Sequence, residues 1–120
     1  MQLPADLRIV AIGGNAGAAN AFTPLGAVPV PGAGLRTRVW AVSLYFSGTV
    51  QVPTNTYFGV YDAITGVQLL ASSAAGFAGR TVDAPGGVAA VVNRAVTAFV
   101  QSAVAGITVG VDVYVTTEAV

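Results

Sequence analysis

Hydrophobic and polar positions alternate with a period of two along much of the chain. In Val39–Phe46, Trp40, Val42, Leu44 and Phe46 fall on one side, and Val39, Ala41, Ser43 and Tyr45 on the other. That alternation predicts a strand with one face in a core. After breaks at Ser47-Gly48 and Pro53-Thr54-Asn55 it resumes over Thr56–Asp62, with Phe58 and Val60 set against Tyr57, Gly59 and Tyr61. Asp62–Gly66 supplies turn residues before Val67–Ala71 continues as a strand. Leu7–Ile12 reads as a first strand, and Arg80–Asp83 as a short one ended by Ala84-Pro85-Gly86-Gly87. The clearest element is the last. Ile107, Val109, Val111, Val113 and Val115 alternate strictly with Thr108, Gly110, Asp112, Tyr114 and Thr116.

Two segments resist the pattern. Gly13–Gly34 is uncharged and rich in Gly and Ala, with Pro24, Pro29 and Pro31. Proline limits ladder bonding and glycine weakens regular structure, so an extended loop or arm is predicted. Phe22, Leu25, Val28 and Val30 need something to cover, either the chain's own sandwich or a neighbouring subunit. In residues 88–104, Val88, Val91, Val92, Ala95, Val96 and Phe99 fit helical spacing. Abundant Val and Thr, the glycines at 86 and 87, and Ala95–Val100 fit strands instead. Both readings stand at this level.

Composition narrows the class. The chain has 120 residues, enough for one domain with a sizeable core, residues 1–120 being read as one sandwich. It contains no cysteine and no histidine, which removes disulfides, thiol chemistry, the commonest general base and the commonest zinc ligand. Five acidic residues balance five basic ones, all Arg, so few phosphates can be neutralised and direct nucleic-acid binding is not expected. Only 8% of residues are charged while 54% are hydrophobic, against about 25% charged in ordinary soluble domains. No uncharged run forms an uninterrupted apolar helix of about 20 residues, and Met1–Asp6 lacks an export signal. Membrane insertion is therefore not expected, and synthesis in the cytoplasm without a signal peptide is. A surface so poor in charge is accounted for by burial against protein neighbours.

Candidate chemistry is sparse. The carboxylates Asp6, Asp62, Asp83, Asp112 and Glu118 share no element at catalytic or metal-ligating spacing, although folding could unite Asp62, Asp83 and Asp112. The turn Gly13-Gly14-Asn15-Ala16-Gly17 lacks the G-x-G-x-x-G spacing, and the chain has no lysine to meet a phosphate. Serine and threonine have no histidine or lysine to activate them. No catalytic residue, cofactor or metal is expected, and no enzyme activity. Tyr45, Tyr57, Tyr61 and Tyr114 all fall on the less apolar side of their strands. If the strands around Pro53 pair, Tyr45, Tyr57 and Tyr61 would cluster on the sheet exterior, a patch suited to a protein interface or a sugar.

Arg38–Gly48, the Thr56–Gly66 hairpin, the break Thr81–Gly86 and the closing strand Gly106–Thr116 together resemble small bacteriophage virion β-sandwiches. These are the jelly-roll-like capsid decoration, cement and fibre proteins. The resemblance implies oligomerisation, often as a trimer, on the exterior of a capsid or tail. The expected fold is an all-β antiparallel sandwich, jelly-roll-like, with an extended N-terminal arm. The expected function is a decoration or cement subunit that bridges its own copies and a major capsid or other virion protein. The alternative is a carbohydrate- or receptor-binding module. Tyr45, Tyr57, Tyr61, Tyr114, Phe22, Leu25, Val28 and Val30 are the candidate interface.

Overall fold

The computed structural model describes residues 6–46, 56–74 and 79–120. The expected breaks within 47–55 lie outside the described residues. Eight strands are described: β1 (Arg8–Asn15), β2 (Thr23–Val28), β3 (Leu35–Phe46), β4 (Thr56–Asp62), β5 (Gln68–Ala74), β6 (Gly79–Ala89), β7 (Val96–Gln101) and β8 (Thr108–Ala119). They form two four-stranded sheets, β1-β8-β3-β6 and β2-β7-β4-β5, with every pairing antiparallel. The nested partners are β4 with β5, β3 with β6, β2 with β7 and β1 with β8. One long hairpin is thus rolled upon itself, and β3–β8 and β4–β7 join its layers side by side. This is the jelly-roll strand order. No helix among the described residues is long and apolar enough to cross a membrane.

The sheets face each other across a core of mostly β-branched side chains. Val39, Val42 and Leu44 of β3 and Val109, Val111, Val113 and Val115 of β8 point inward. They meet Phe58 and Val60 of β4 and Val96, Ala98 and Val100 of β7. Valine suits this position because its stiff, branched side chain packs on a pleated surface with little rotamer entropy to lose. The alternation expected for β8 and β4 holds along both strands.

Two expectations change, and the question left open over residues 88–104 is answered. The segment 13–34 is not an arm. It supplies the end of β1 and all of β2, which pairs with β7, and Val28 is fully buried. Pro24 is tolerated because β2 is an edge strand and its register shifts between Pro24 and Gly26. Residues 88–104 are strands: β6 ends at Ala89, the chain turns with Asn93 in the left-handed region (φ 52°), and β7 follows. Here the β preference of valine and threonine outweighs the helical spacing.

The second correction concerns Trp40, expected on the core face. Against β8 the register passes from Val39–Val115 to Ala41–Tyr114, leaving Trp40 as an extra residue. A bulge of this kind puts two successive side chains on one side. Val39 therefore faces inward, and Trp40 lies on the outer face with its indole N–H donating to Thr116 Oγ1 at 3.0 Å. Opposite, β6 makes a larger excursion. Val88 pairs with Val39 and Asp83 with Ala41, so Ala84–Gly87 loop out and the strand resumes beyond the predicted break. The excursion folds back over Arg38, whose guanidinium donates to the Gly86 carbonyl at 3.0 Å. Gly87 (φ 73°) leaves no room for a side chain there, since a Cβ would sit 2.6 Å from Arg38 Cγ.

Thr37 faces the interior beside this bulge, fully buried, and its hydroxyl has no hydrogen-bond partner. An orphaned buried hydroxyl is destabilising, and valine has nearly the same shape. Thr37→Val is expected to raise the unfolding free energy by about 1 kcal/mol, measured by urea denaturation.

Candidate protein interface

The eight candidate residues separate onto different surfaces. β3 and β4 belong to different sheets, so Tyr45 does not join Tyr57 and Tyr61. Tyr45 lies on the outer face of the β1-β8-β3-β6 sheet, its ring occupying the space where a Gly110 side chain would stand. Its role there is to cover the backbone of the neighbouring strand. Tyr114 is on the same sheet, between Ile9 of β1 and Ala41 of β3. Leu25 packs against the core, and buried Val28 is removed from any surface. Val30 is exposed, between β2 and β3.

Phe22, Tyr57 and Tyr61 do come together, on the outer face of the other sheet, around a ring that the sequence reading left out of the site. Phe99 is on β7, opposite Gly59 of β4. It stacks on Phe22 (centroids 4.5 Å) and makes tilted contacts with Tyr57 (5.4 Å) and Tyr61 (5.9 Å). Phe22 also meets Tyr61 at 5.4 Å. Phe99 points away from the main core yet is fully buried, because this shell of rings covers it. Such pairs contribute about 0.5–1.5 kcal/mol each beyond area burial. Helical spacing grouped Phe99 with Val96; as a strand, β7 alternates Val96, Ala98 and Val100 inward with Thr97, Phe99 and Gln101 outward.

The chain before β2 delivers Phe22 to this cluster. Asn20 adopts a left-handed conformation (φ 62°), its N–H donates to the Ser102 carbonyl at 2.6 Å, and its own carbonyl accepts from Gln101 Nε2 at 3.1 Å. Tyr57 is held at its tip by donating to Gln68 Oε1 at 2.6 Å. The result is a fixed aromatic patch with amides at its rim and Phe22, 45% exposed, at its summit. Among the described residues no cleft encloses a ligand, and no three Asp or Glu side chains gather. Asp62 is on β4, whereas Asp83 and Asp112 lie on the opposite sheet.

The chain matches no family model and no curated protein. Among solved structures it is similar to a chain in the acid-stable capsid structure of the Helicobacter pylori bacteriophage KHP30. The identity is 17% and the TM-score 0.51, over 95% of this chain and 99% of that one. What the two share is therefore a fold, and they share it end to end.

Half of the charges are spent on one another. Glu118 of β8 accepts from Arg36 Nε at 2.8 Å and Arg38 Nε at 2.6 Å, which hold its carboxyl at about 2. Asp62 is buried. Its Oδ1 accepts from the Thr65 and Ile64 amides at 3.0 and 2.9 Å and from Arg94 at 2.7 Å. The Thr65 amide foremost, then that of Ile64 and the Arg94 guanidinium, holds this carboxyl below its ordinary 3.8 against the opposing effect of burial. Five of the ten charged residues thus pair internally, and the aromatic patch carries none.

Both depressed carboxyls stabilise the fold fully above their unfolded values, and that contribution is lost as pH falls through the folded ones. With no histidine to titrate, the melting temperature should stay nearly level from about pH 8 to 5 and fall below about pH 4. Asp62→Ala removes the turn anchor and leaves Arg94 unpaired. It should cost roughly 3 kcal/mol at pH 7 by denaturant unfolding, with a correspondingly weaker acid transition.

Proposed function

We propose that the chain is a structural subunit of a bacteriophage virion, acting as a capsid decoration or cement protein that bridges neighbouring shell subunits. The observation that carries this reading is the end-to-end correspondence of fold with a chain of a phage capsid. The surface chemistry supports it. Half the charges are internally paired, and the patch around Phe22 offers an apolar summit with polar edges, the composition of a protein contact. Contact through that patch would remove apolar area from water at about 25 cal/mol per Å², less the cost of association. Enzyme activity forms no part of this proposal.

A second reading rests on the same patch, because aromatic rings flanked by the amides of Gln68 and Gln101 also suit a sugar face. Three of the four ring contacts are tilted and Phe99 is buried beneath the others, an uneven surface that favours a protein partner over a stacked glycan. A glycan array decides between them: saturable binding at millimolar concentration or tighter would replace the cement role with receptor binding.

For the cement role, particles purified from an infected culture should contain the chain in a fixed ratio to the shell protein by quantitative mass spectrometry. Particles made without it should assemble but release their genome at a temperature lower by several degrees. Unchanged heat stability would remove the cement function. Added back to such particles, Phe22→Ala should bind at least about tenfold more weakly than the parent chain, as expected for a central aromatic anchor. Tyr45→Ala, on the opposite sheet, should bind normally.

A further inference from the structure

Among the described residues each sheet has two edges, and three of the four are interrupted. β2 carries Pro24 and a register shift, β5 has Leu69 as an unmatched residue between Leu70 and Gln68, and β6 has the Ala84–Gly87 excursion with Pro85. Interruptions of this kind stop an edge from accepting another strand. β1 has none. It pairs with β8 at eight consecutive positions from Arg8–Val115 to Asn15–Thr108, without shift or proline, and Arg8 is its only charge.

The direction of its open hydrogen bonds follows from the register. Ala16 continues the β1 ladder opposite Ile107, and its N–H donates to the Ile107 carbonyl at 2.9 Å. In an antiparallel pair, alternate residues bond to the partner. Even-numbered residues of β1 therefore bond to β8, while Ile9, Ala11, Gly13 and Asn15 direct their N–H and C=O groups outward. All four are exposed, and Ile9 is 55% accessible although apolar.

The geometry points to β1 as the site of strand addition by β1 of a second copy, antiparallel about a two-fold axis at Ala11. Side chains keep to their faces only when paired residues have the same parity. With the axis at Ala11, Ile9 lies opposite Gly13 of the other copy, Arg8 opposite Gly14, Val10 opposite Ile12, and Ala11 opposite itself. Large residues at one end of the strand thus meet glycines at the other, and no like charges oppose. The two sheets become one of eight strands, and the open donors and acceptors satisfy each other. This pairing does not depend on a virion role. One strand pair buries little area, so the dimer is weak in dilute solution and forms where copies are concentrated, as on a lattice.

Sedimentation equilibrium of the parent chain from about 10 μM to 1 mM should show a reversible monomer–dimer equilibrium. Ala11→Pro removes an outward N–H and no bond to β8, so it should keep the fold and weaken the dimer at least about tenfold. Ile9→Lys, an exposed substitution that guards edges, should act in the same direction. Because the chain has no native cysteine, Ala11→Cys should be captured as a dimer by a short thiol cross-linker far more efficiently than Asn15→Cys. A parent chain monomeric throughout that range, a dimer indifferent to both edge substitutions, or equal cross-linking at 11 and 15 would each overturn the assignment.

Discussion

The side chains that β3 and β8 send inward cannot remain in water together, and meeting that requirement sets the rest of the molecule. Val39, Val42 and Leu44 alternate with outward residues on one strand, and Val109, Val111, Val113 and Val115 on the other. Paired, they make an apolar stripe that only a second sheet can cover. β4 and β7 present the matching stripe, and the outer strands follow by the nested order of the rolled hairpin. The register of β3 on β8 cannot slip by one residue without turning all of these valines to solvent. The single slip that does occur, at Trp40, is compensated at once by the indole bond to Thr116 and the cover of the Ala84–Gly87 excursion.

With the interior satisfied by valine, the exterior is where the two sheets differ. The β1-β8-β3-β6 face carries Tyr45 over Gly110, Trp40 bonded to Thr116, Tyr114 beside Ile9, and the Arg36–Arg38–Glu118 cluster. The β2-β7-β4-β5 face carries the rings around Phe99. Phe99 would itself be a large exposed hydrophobe were it not roofed, and Phe22, which roofs it, is in turn left half in solvent. Moving the exposure from one ring to the next does not abolish it, and a bound neighbour is what would.

The periodic strands were legible in the sequence, because a period of two sustained over seven or more residues has no competing explanation. β8 and β4 run as the alternation predicts, and the Asp62–Gly66 turn is closed by the Asp62 carboxylate as its residue types suggest. What escaped was non-local. Nothing in Val39-Trp40-Ala41 announces the bulge, since it arises from how β3 meets both neighbours. β2 was hidden because Pro24 and the surrounding glycines read as loop, and only the pairing with β7 makes them an edge strand. Of the interface candidates, Phe22, Tyr57 and Tyr61 converge while Tyr45 and Tyr114 lie on the other sheet, a division fixed by sheet order. Phe99 was within reach: once 96–101 is read as a strand, it is the one large apolar side chain facing away from Val96 and Val100.

A neutral, charge-poor chain has little electrostatic repulsion to keep its copies apart, so the protection of its sheet edges decides whether it associates without control. Three edges are closed by devices that cost regular pairing: a proline, a bulge and a glycine-rich excursion. A chain selected only to stay monomeric would be expected to treat the fourth in the same way, and a lysine or proline at Ile9 or Ala11 would suffice without disturbing β8. Instead β1 offers an uninterrupted ladder with an exposed isoleucine at one end and two glycines at the other. Protection that is general at three edges and missing at one confines association to a single direction. Such an arrangement suits copies that stay apart when dilute and pair where they are held side by side.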